Sequence, residues 1–296
     1  MHASLIRAAI AALAFLVWPA CSSEAQADMA DVLVFTAIPD HNETELREKY
    51  APVASYLSEK LGVEVRYLHS TSYADSVELF KNGDVQLAWF GGLSGVQARH
   101  AVPGARAIAQ GLADIKFHSY FIAHKDTGLT RSGEFPEGLR GKKFTFGSSG
   151  STSGRLFPEH FIRQNTGQSP AEFFGMENRY SGSHDATVEH VESGAFEAGA
   201  VNYKTYDARV AQGKTDPEVC RIIWKTPPYV DYNFTAHPAL DERFGAGFID
   251  RLQVVLLAMD DPDLLAAFPR ERLIEAKNSD YDSIRALALD LGFIRE

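Results

Sequence analysis

Glycine and hydroxyl residues are concentrated in one segment, residues 147 to 154, which reads Gly-Ser-Ser-Gly-Ser-Thr-Ser-Gly. It stands between a strand-like run, residues 142–146, and a helix-like run, residues 155–164. Glycine lets the backbone approach a ligand closely, the hydroxyls can donate hydrogen bonds, and the first turn of a helix has free N–H groups at its positive end. The segment therefore indicates a cradle for a small anion. A flexible Gly/Ser linker is the alternative, but ordered patterns on both sides disfavour it.

The motifs of catalysis and metal binding are missing from the sequence. There is no Gly-x-Ser-x-Gly, His-Glu-x-x-His or Cys-x-x-Cys, and Gly141-Lys142 is followed by Lys143 rather than by Ser or Thr. His184 and His190 are not spaced i, i+4, which is the spacing that places two zinc ligands on one helix face. We expect a binding protein rather than an enzyme, with no cofactor and no metal.

The N-terminus has the pattern of a secretory signal peptide. Arg7 precedes an apolar run, residues 8–20, that is short for a membrane span. An Ala-x-Ala site ends at Ala27, so we predict that residues 1–27 are removed and that the protein is periplasmic. Alternatively, Cys21 is the acceptor of a lipid anchor.

Composition restricts the remaining classes. Hydrophobic residues are 45% and charged residues 23% of the chain, as in ordinary globular proteins. Beyond residue 27, Cys220 is the only thiol, so an internal disulfide is impossible, and a mature chain of about 270 residues suits two medium-sized lobes. The formal net charge of −10 argues against nucleic-acid binding. It leaves a buried anion site possible, because surface charge is screened.

Strand-like and helix-like runs alternate along the chain, which predicts an α/β fold. Strands are predicted at residues 32–36, 63–69, 85–90, 105–112, 117–124, 142–146, 196–201 and 220–224. Helices are predicted at residues 42–61, 72–81, 94–101, 155–164, 186–192, 203–211, 241–257 and 283–291. In this interpretation the strand at residues 220–224 is the last one.

Four segments, in this order and spacing, carry a family resemblance: FTAIPD from residue 35, AWFGG from residue 88, STSG from residue 151 and SGSHDAT from residue 181. They resemble the phosphate, phosphite and phosphonate-type substrate-binding proteins of ABC importers, and within these the branch named for selenate binding. The resemblance implies a periplasmic binding protein of type II, with two α/β lobes joined by two crossover strands. Lobe 1 would comprise residues 28–118 and 226–296, and lobe 2 residues 119–225.

The resemblance also implies where a ligand binds, in the cleft between the lobes. Hydroxyls and helix-start N–H groups would surround the oxygens of the anion, and two tyrosines and a histidine would add donors. The turn at Gly91, Gly92 and Ser94 would either add N–H donors from the opposite side or be a simple tight turn. The ligand-binding residues that the family pattern places on this chain are Tyr73, Tyr120, Ser151, Thr152, Ser153, His184, Lys204 and Asp231.

Two of these positions bear on the identity of the anion. Phosphonate-binding relatives carry a glutamate for the ligand's amine where this chain has Lys204, which argues against an aminoalkylphosphonate. Asp231 matches a carboxylate that approaches the ligand. A carboxylate suits an anion that keeps a proton, such as phosphite or a phosphonate, and suits selenate poorly unless Lys204 neutralises it.

The function implied by the resemblance is transport. The protein would capture a small tetrahedral oxyanion, of the phosphonate, phosphite, phosphate or selenate type, by closing two lobes around it. The closed form would deliver the anion to an ABC permease and its ATPase. We expect a monomer that binds no nucleic acid. The alternative is a ligand-sensing module of the same fold that acts with a signalling partner.

Overall fold

A computed structural model describes residues 32–41 and 43–295. The predicted signal peptide, Ala27 and Cys21 lie outside the described residues. Within the described part, every helix is too short or too polar to cross a lipid bilayer.

The described chain contains eleven strands and eleven α-helices. The strands are β1 (Val32–Ala37), β2 (Glu64–Tyr67), β3 (Leu87–Phe90), β4 (Arg106–Gly111), β5 (Ser119–His124), β6 (Phe144–Phe146), β7 (Arg179–Tyr180), β8 (Ala198–Asn202), β9 (Cys220–Lys225), β10 (Asn233–Ala236) and β11 (Leu273–Glu275). The helices are α1 (Glu43–Leu61), α2 (Tyr73–Lys81), α3 (Gly92–Ala101), α4 (Phe157–Thr166), α5 (Pro170–Phe174), α6 (His184–Glu192), α7 (Tyr203–Ala211), α8 (Ala239–Phe244), α9 (Phe248–Leu257), α10 (Pro262–Leu265) and α11 (Asp282–Asp290).

The strands form two separate mixed sheets. The first has the order β11-β4-β10-β3-β1-β2, and the second has the order β7-β6-β8-β5-β9. We call the part of the chain built on the first sheet lobe 1 and the part built on the second lobe 2. Both β1 and β3 are buried along their whole length, as expected of strands in a sheet covered on both faces. The α/β prediction is confirmed.

The directions of the strands decide which loops lie at the facing edges of the two sheets. In lobe 1, β1 is parallel to β2 and β3, whereas β10 is antiparallel to both β3 and β4. In lobe 2, β6 is parallel to β7 and β8, and β5 is antiparallel to β8 and β9. Loops that follow the parallel strands lie at the carboxyl edges of the sheets, where α/β proteins bind ligands.

Two chain segments run side by side between the lobes. Phe117 and Tyr229 form an isolated antiparallel bridge, with N–H to carbonyl distances of 2.7 and 3.0 Å. Next to it, the Arg270 guanidinium donates two hydrogen bonds of 2.7 Å to the carboxylate of Asp114, and both side chains are buried. The carbonyl of Asp114 in turn accepts from the N–H of Asp231 at 3.0 Å. The ion pair therefore fixes the base of the crossing segments.

Two expectations from the sequence are wrong in detail. The helix predicted at residues 241–257 is two helices, because Gly245 and Gly247 have φ values of 96° and 82°, which break a right-handed helix. The strand at residues 220–224 is not the last, since β10 and β11 follow it and join the sheet of lobe 1. These two strands have four and three residues, too few for a clear alternating pattern.

The buried ion pair gives a testable prediction about stability. Replacing Arg270 by Met leaves the Asp114 carboxylate buried without its partner, which we expect to lower the free energy of unfolding by about 3 to 5 kcal/mol. The double variant Arg270→Met with Asp114→Asn removes that charge and should be more stable than the single variant. Urea unfolding followed by circular dichroism measures both.

A surface ion pair provides the matched control. Arg47 and Glu43 are neighbours on α1, and their side chains are about half exposed, so Arg47→Ala should change little. A double variant no more stable than Arg270→Met would contradict the argument that an unpaired buried charge causes the loss.

Candidate functional site

The Gly/Ser segment is an ordered wall of the cleft. Ser151 begins a π-helical turn, Thr152–Leu156, and its hydroxyl oxygen accepts from the N–H of Gly154 at 2.9 Å. The turn runs directly into α4, where Pro158 lies in the first turn and needs no N–H partner. Ser151, Thr152 and Ser153 are each at most 2% exposed. A flexible linker would be exposed, so the linker alternative is wrong.

Gly154 lies where the Ser/Thr loop packs closely against its neighbours. A Cβ on Gly154 would lie 3.0 Å from the Ser151 hydroxyl oxygen, 3.2 Å from the Cα of Gly147 and 3.2 Å from the ring of His184. Contacts this short are tighter than most Cβ atoms make, so a side chain at this position would require its neighbours to move. The glycines therefore bring the Ser/Thr loop against the start of α6.

The opposite wall is the start of α3 in lobe 1. The N–H of Leu93 donates to the hydroxyl oxygen of Thr152 at 2.9 Å, which joins the two lobes. The N–H of Gly92 donates to Asp231 Oδ1 at 2.8 Å, and the hydroxyl of Ser94 donates to the carbonyl of Gly91. The turn at Gly91 thus supplies N–H donors, as the sequence suggested, but it supplies them to Thr152 and Asp231.

One carboxylate oxygen of Asp231 accepts a hydrogen bond, and the other has no hydrogen-bond partner within the described part of the chain. Its side chain is 1% exposed, and Oδ2 has no hydrogen-bond partner among the described residues. Burial raises the pKa of this carboxyl to about 7, although the Gly92 N–H and the Thr152 hydroxyl act in the opposite direction. Near neutral pH the group is therefore divided between its protonated and ionised forms, and it can donate or accept a proton at the free oxygen.

His184 is a neutral donor. The backbone N–H of Asn202 points at Nδ1 at 3.3 Å, which makes Nδ1 the acceptor and places the ring proton on Nε2. Nε2 lies 3.5 Å from the hydroxyl of Ser153. Burial lowers the pKa of His184 to about 4, against the opposing effect of Asp40. The structure therefore favours the neutral imidazole over the imidazolium.

Two tyrosines lie against the residues described above. We use the name chamber for this group of side chains, which comprises Tyr73, Ser151, Thr152, Ser153, His184, Tyr229 and Asp231. Tyr73, the first residue of α2, is 2% exposed and its hydroxyl forms a hydrogen bond with Ser151. Tyr229 was missed in the sequence. Its hydroxyl lies 2.5 Å from that of Ser119, which donates to the carbonyl of Ser153 at 2.6 Å. The position of Tyr229 two residues before Asp231 was the signal that could have revealed it, because alternate residues of an extended segment point the same way.

Tyr120 does not lie with the other predicted site residues. Its ring packs in a separate cluster of lobe 2 with Val201 and Tyr206, and its hydroxyl is 3.4 Å from Asp207. Tyr120 is in strand β5, where Ser119 points towards the Ser/Thr loop. Because side chains alternate along a strand, its neighbour Tyr120 points to the other face.

Lys204 also lies outside the chamber. It lines a crevice of about 150 Å³ at the edge of the cleft, together with Asp40, Asn202, Tyr232 and Arg270, and none of the Ser/Thr loop lines it. Burial and the charge of Arg270 lower the pKa of Lys204. The groups that lower the pKa of Asp231 are the Gly92 N–H, the Thr152 hydroxyl and the charge of Arg270.

One further group of titratable side chains joins the lobes. The ligating atoms of His41, Glu45 and Asp185 lie within 4.8 Å of one another. Their carboxylates are already paired, however, because Asp185 is 3.1 Å from Arg209 and Glu45 is 3.9 Å from Lys49. The group is therefore part of an ion-pair network that includes Arg209 and Lys49.

Comparison with known proteins agrees with this architecture. Residues 35–281 match the family described as the periplasmic substrate-binding protein of phosphonate ABC transporters. "Probable ABC transporter phosphite binding protein PhnD1" of Prochlorococcus marinus is 38% identical over 89% of this chain and 91% of its own length. "Phosphate-import protein PhnD" of Mycolicibacterium smegmatis is 30% identical over 76% of this chain and 71% of its own.

A solved structure gives the same result. The structure of PhnD1 from Prochlorococcus marinus in complex with methylphosphonate superposes with a TM-score of 0.85 at 38% identity, covering 90% of this chain and all of that chain. The relatives are binding proteins of transporters. The family match, the relatives and the two-sheet fold lead to one conclusion: this chain belongs to the phosphonate-type periplasmic substrate-binding proteins of ABC transporters.

Proposed function

We propose that this substrate-binding component captures phosphite or a small phosphonate such as methylphosphonate in the chamber between the lobes. The observation that carries the proposal is the free oxygen of Asp231, buried beside a group of hydroxyl and imidazole donors. A bound phosphorus oxyanion can share one proton with that oxygen at neutral pH, whereas selenate and sulfate carry no such proton. The names of the relatives, which include phosphite and methylphosphonate, support this choice.

The ligand-binding residues in this proposal come from both lobes. Tyr73 and Asp231 would contact the anion from lobe 1, and the remaining donors would contact it from lobe 2. Each donor is held by a neighbour, as the hydrogen bonds of Asp231 and His184 illustrate, so little reorganisation is needed on binding. The proposed set is Tyr73, Ser151, Thr152, Ser153, His184, Tyr229 and Asp231.

Transport would depend on closure. Ligand contacts to both lobes favour the closed form, because only that form makes them all at once. The hinge would lie at the paired segments around Phe117 and Tyr229, and we place the lobe boundaries at residues 28–118 with 226–296 and at residues 119–225. A monomer in the closed form would dock on an ABC permease and release the anion as its ATPase turns over.

The route to the periplasm is part of the same proposal. Removal of residues 1–27 would release the mature chain, with lipidation of Cys21 as the alternative. The sensor interpretation has less support, because the family and its relatives are named for transport. Catalysis also has less support, since the family and its relatives are named for binding and transport.

The first test of this function is direct binding. Calorimetry of the mature protein with methylphosphonate, phosphite, phosphate, sulfate and selenate should give one site, with the first two binding most tightly. A micromolar dissociation constant, about 8 kcal/mol, is within reach of several charge-assisted hydrogen bonds. The absence of heat and of thermal stabilisation with all five anions would overturn the oxyanion proposal.

A second test concerns the loop donors. Thr152→Ala and Ser153→Ala should each weaken methylphosphonate binding by about 1.5 to 3 kcal/mol, because the lost hydrogen bond has a charged acceptor. The melting temperature reports any loss of fold, which matters more for Thr152 because its oxygen also accepts from Leu93. Ser149 is exposed in the same loop, so Ser149→Ala is the matched control. Affinity equal to wild type in both loop variants would exclude the hydroxyls from the site.

A third test distinguishes anions that carry a proton near neutral pH from anions that do not. Asp231→Asn replaces the carboxylate by an amide that always donates, so selenate and sulfate should gain at least about tenfold relative to methylphosphonate. Wild-type affinity for methylphosphonate should fall as the pH rises through about 7, where the Asp231 proton is lost, and the variant should lose that component. Competition calorimetry across about pH 6 to 8 measures both effects.

Two variants serve as controls for the Asp231 test. Asp207→Asn removes an exposed carboxylate that lies 3.4 Å from the Tyr120 hydroxyl and away from the chamber, and it should leave selectivity unchanged. Lys204→Glu should weaken all the anions alike, because it acts from the crevice through charge alone. Unchanged selectivity in Asp231→Asn would remove the carboxylate from the site.

A further inference from the structure

The lobes also meet at a point that the ligand proposal does not use. Nδ1 of His41, just before α1 of lobe 1, lies 2.8 Å from Oδ2 of Asp185, in the first turn of α6 of lobe 2. The two side chains are 16% and 19% exposed. They are 144 residues apart in the chain and belong to different lobes, so the contact joins the two lobes.

Lobe 2 holds the carboxylate in place before the lobes meet. Arg209 of α7 lies 3.1 Å from the second oxygen of Asp185 and 3.2 Å from Glu189. This leaves Oδ2 of Asp185 pointing across the cleft. Burial would raise the pKa of Asp185, but the hydrogen bonds and charges of His41 and Arg209 lower it to about 2, so the group is an anion throughout the physiological range.

Lobe 1 surrounds the imidazole with more negative than positive charge. Asp40 lies 4.0 Å from Nε2 of His41 and Glu45 lies 3.9 Å from Nδ1, with Lys49 as the nearby cation. Burial disfavours the charged imidazolium, yet Asp40 and the hydrogen bond to Asp185 raise the pKa of His41 overall. From lobe 2, the ring faces Asp185 and the neutral His184.

We propose that His41 and Asp185 form a latch that engages only when the lobes close, and that closing it binds a proton on His41. Asp185 directly follows His184, so the latch and the proposed anion contact are neighbours at the start of one helix. Any closure that brings His184 over the anion also brings Asp185 to His41. The inference deepens the proposed function, because it assigns part of the free energy of closure to a contact away from the ligand.

The pH dependence follows from the difference between the open and closed forms. Opening removes Asp185 from His41, so the pKa of His41 is higher in the closed form. Closure is therefore favoured fully below the pKa that His41 has in the open form, and the gain is lost as the pH rises through the higher pKa of the closed form. An imidazolium held between carboxylates in this way is a switch near physiological pH.

The experiment compares full-length mature variants with wild type by methylphosphonate calorimetry at about pH 6 and about pH 8. His41→Gln and Asp185→Asn should each weaken binding roughly tenfold at the lower pH and much less at the higher, and the double variant should be no weaker than either single one. The ratio of wild type to variant cancels the pH effect of Asp231, which is common to both. Titrations in two buffers of different ionisation enthalpy should show less proton uptake in His41→Gln.

The matched control is Glu189→Gln, which also contacts Arg209 but does not reach His41, and it should bind like wild type. Equal losses at both pH values, or additive losses in the double variant, would overturn the latch. If added zinc tightened methylphosphonate binding and a chelator reversed the effect, a metal bridge rather than a protonated histidine would join the lobes. That result would also overturn the latch.

A second measurement keeps the latch testable if no anion binds. Small-angle scattering of the ligand-free protein should show a more compact wild type at the lower pH, with no such change in His41→Gln. Equal scattering of the two proteins would overturn the latch on its own. Failure of every anion in calorimetry, with the scattering difference intact, would instead overturn the proposed ligand.

Discussion

The buried carboxylate of Asp231 is the constraint on which the contact between the two lobes depends. Asp231 is held by the N–H of Gly92, by the hydroxyl of Thr152 and through its own N–H by the carbonyl of Asp114. Thr152 at the same time accepts from the N–H of Leu93, so one side chain both joins the lobes and influences the charge of Asp231. The contact between the two lobes and the protonation of Asp231 therefore depend on the same group, the hydroxyl of Thr152.

The cations near the chamber are occupied elsewhere. Arg155 follows the Ser/Thr loop directly, but it pairs with Glu159 and packs over the ring of Phe146. Arg270 gives two hydrogen bonds to Asp114. In the proposed site, the donors left for an anion are hydroxyls and a neutral imidazole, which recognise shape and protons rather than total charge. Such a site can bind an anion in a protein whose net charge is −10, because it does not rely on long-range attraction.

The sequence predicted the parts of the fold that depend on local pattern. Long strands and helices such as β1 and α1 were found because their periodicity is continuous, whereas β10 and β11 were missed because their register depends on neighbours far away in the chain. Glycines and hydroxyls identified the loop at Thr152, since these residue types have a direct chemical meaning. The residue types along a strand do not indicate in the same way which of its side chains face the site.

The positions of two predicted site residues, Tyr120 and Lys204, depend on the same kind of distant contact. Tyr120 and Ser119 are adjacent, and only the packing of β5 decides which of them reaches Ser153. Lys204 was placed by its spacing from His184, but the first turn of α7 points it into the crevice with Arg270. The pKa values of Asp231 and His184 likewise depend on burial, which the types of their neighbours in the sequence do not determine.

Strand β10 gives the polypeptide an order of assembly. It lies between β3 and β4 in the sheet, yet it follows every strand of lobe 2 in the chain. During synthesis the first half of lobe 1 therefore lacks its central strand until lobe 2 is complete. Lobe 2 is one continuous stretch, and the pairing of β5 with β9 brings its two ends together. This shortens the loop that must close before β10 can insert into the sheet of lobe 1. The folded lobe 2 therefore lowers the entropic cost of completing lobe 1.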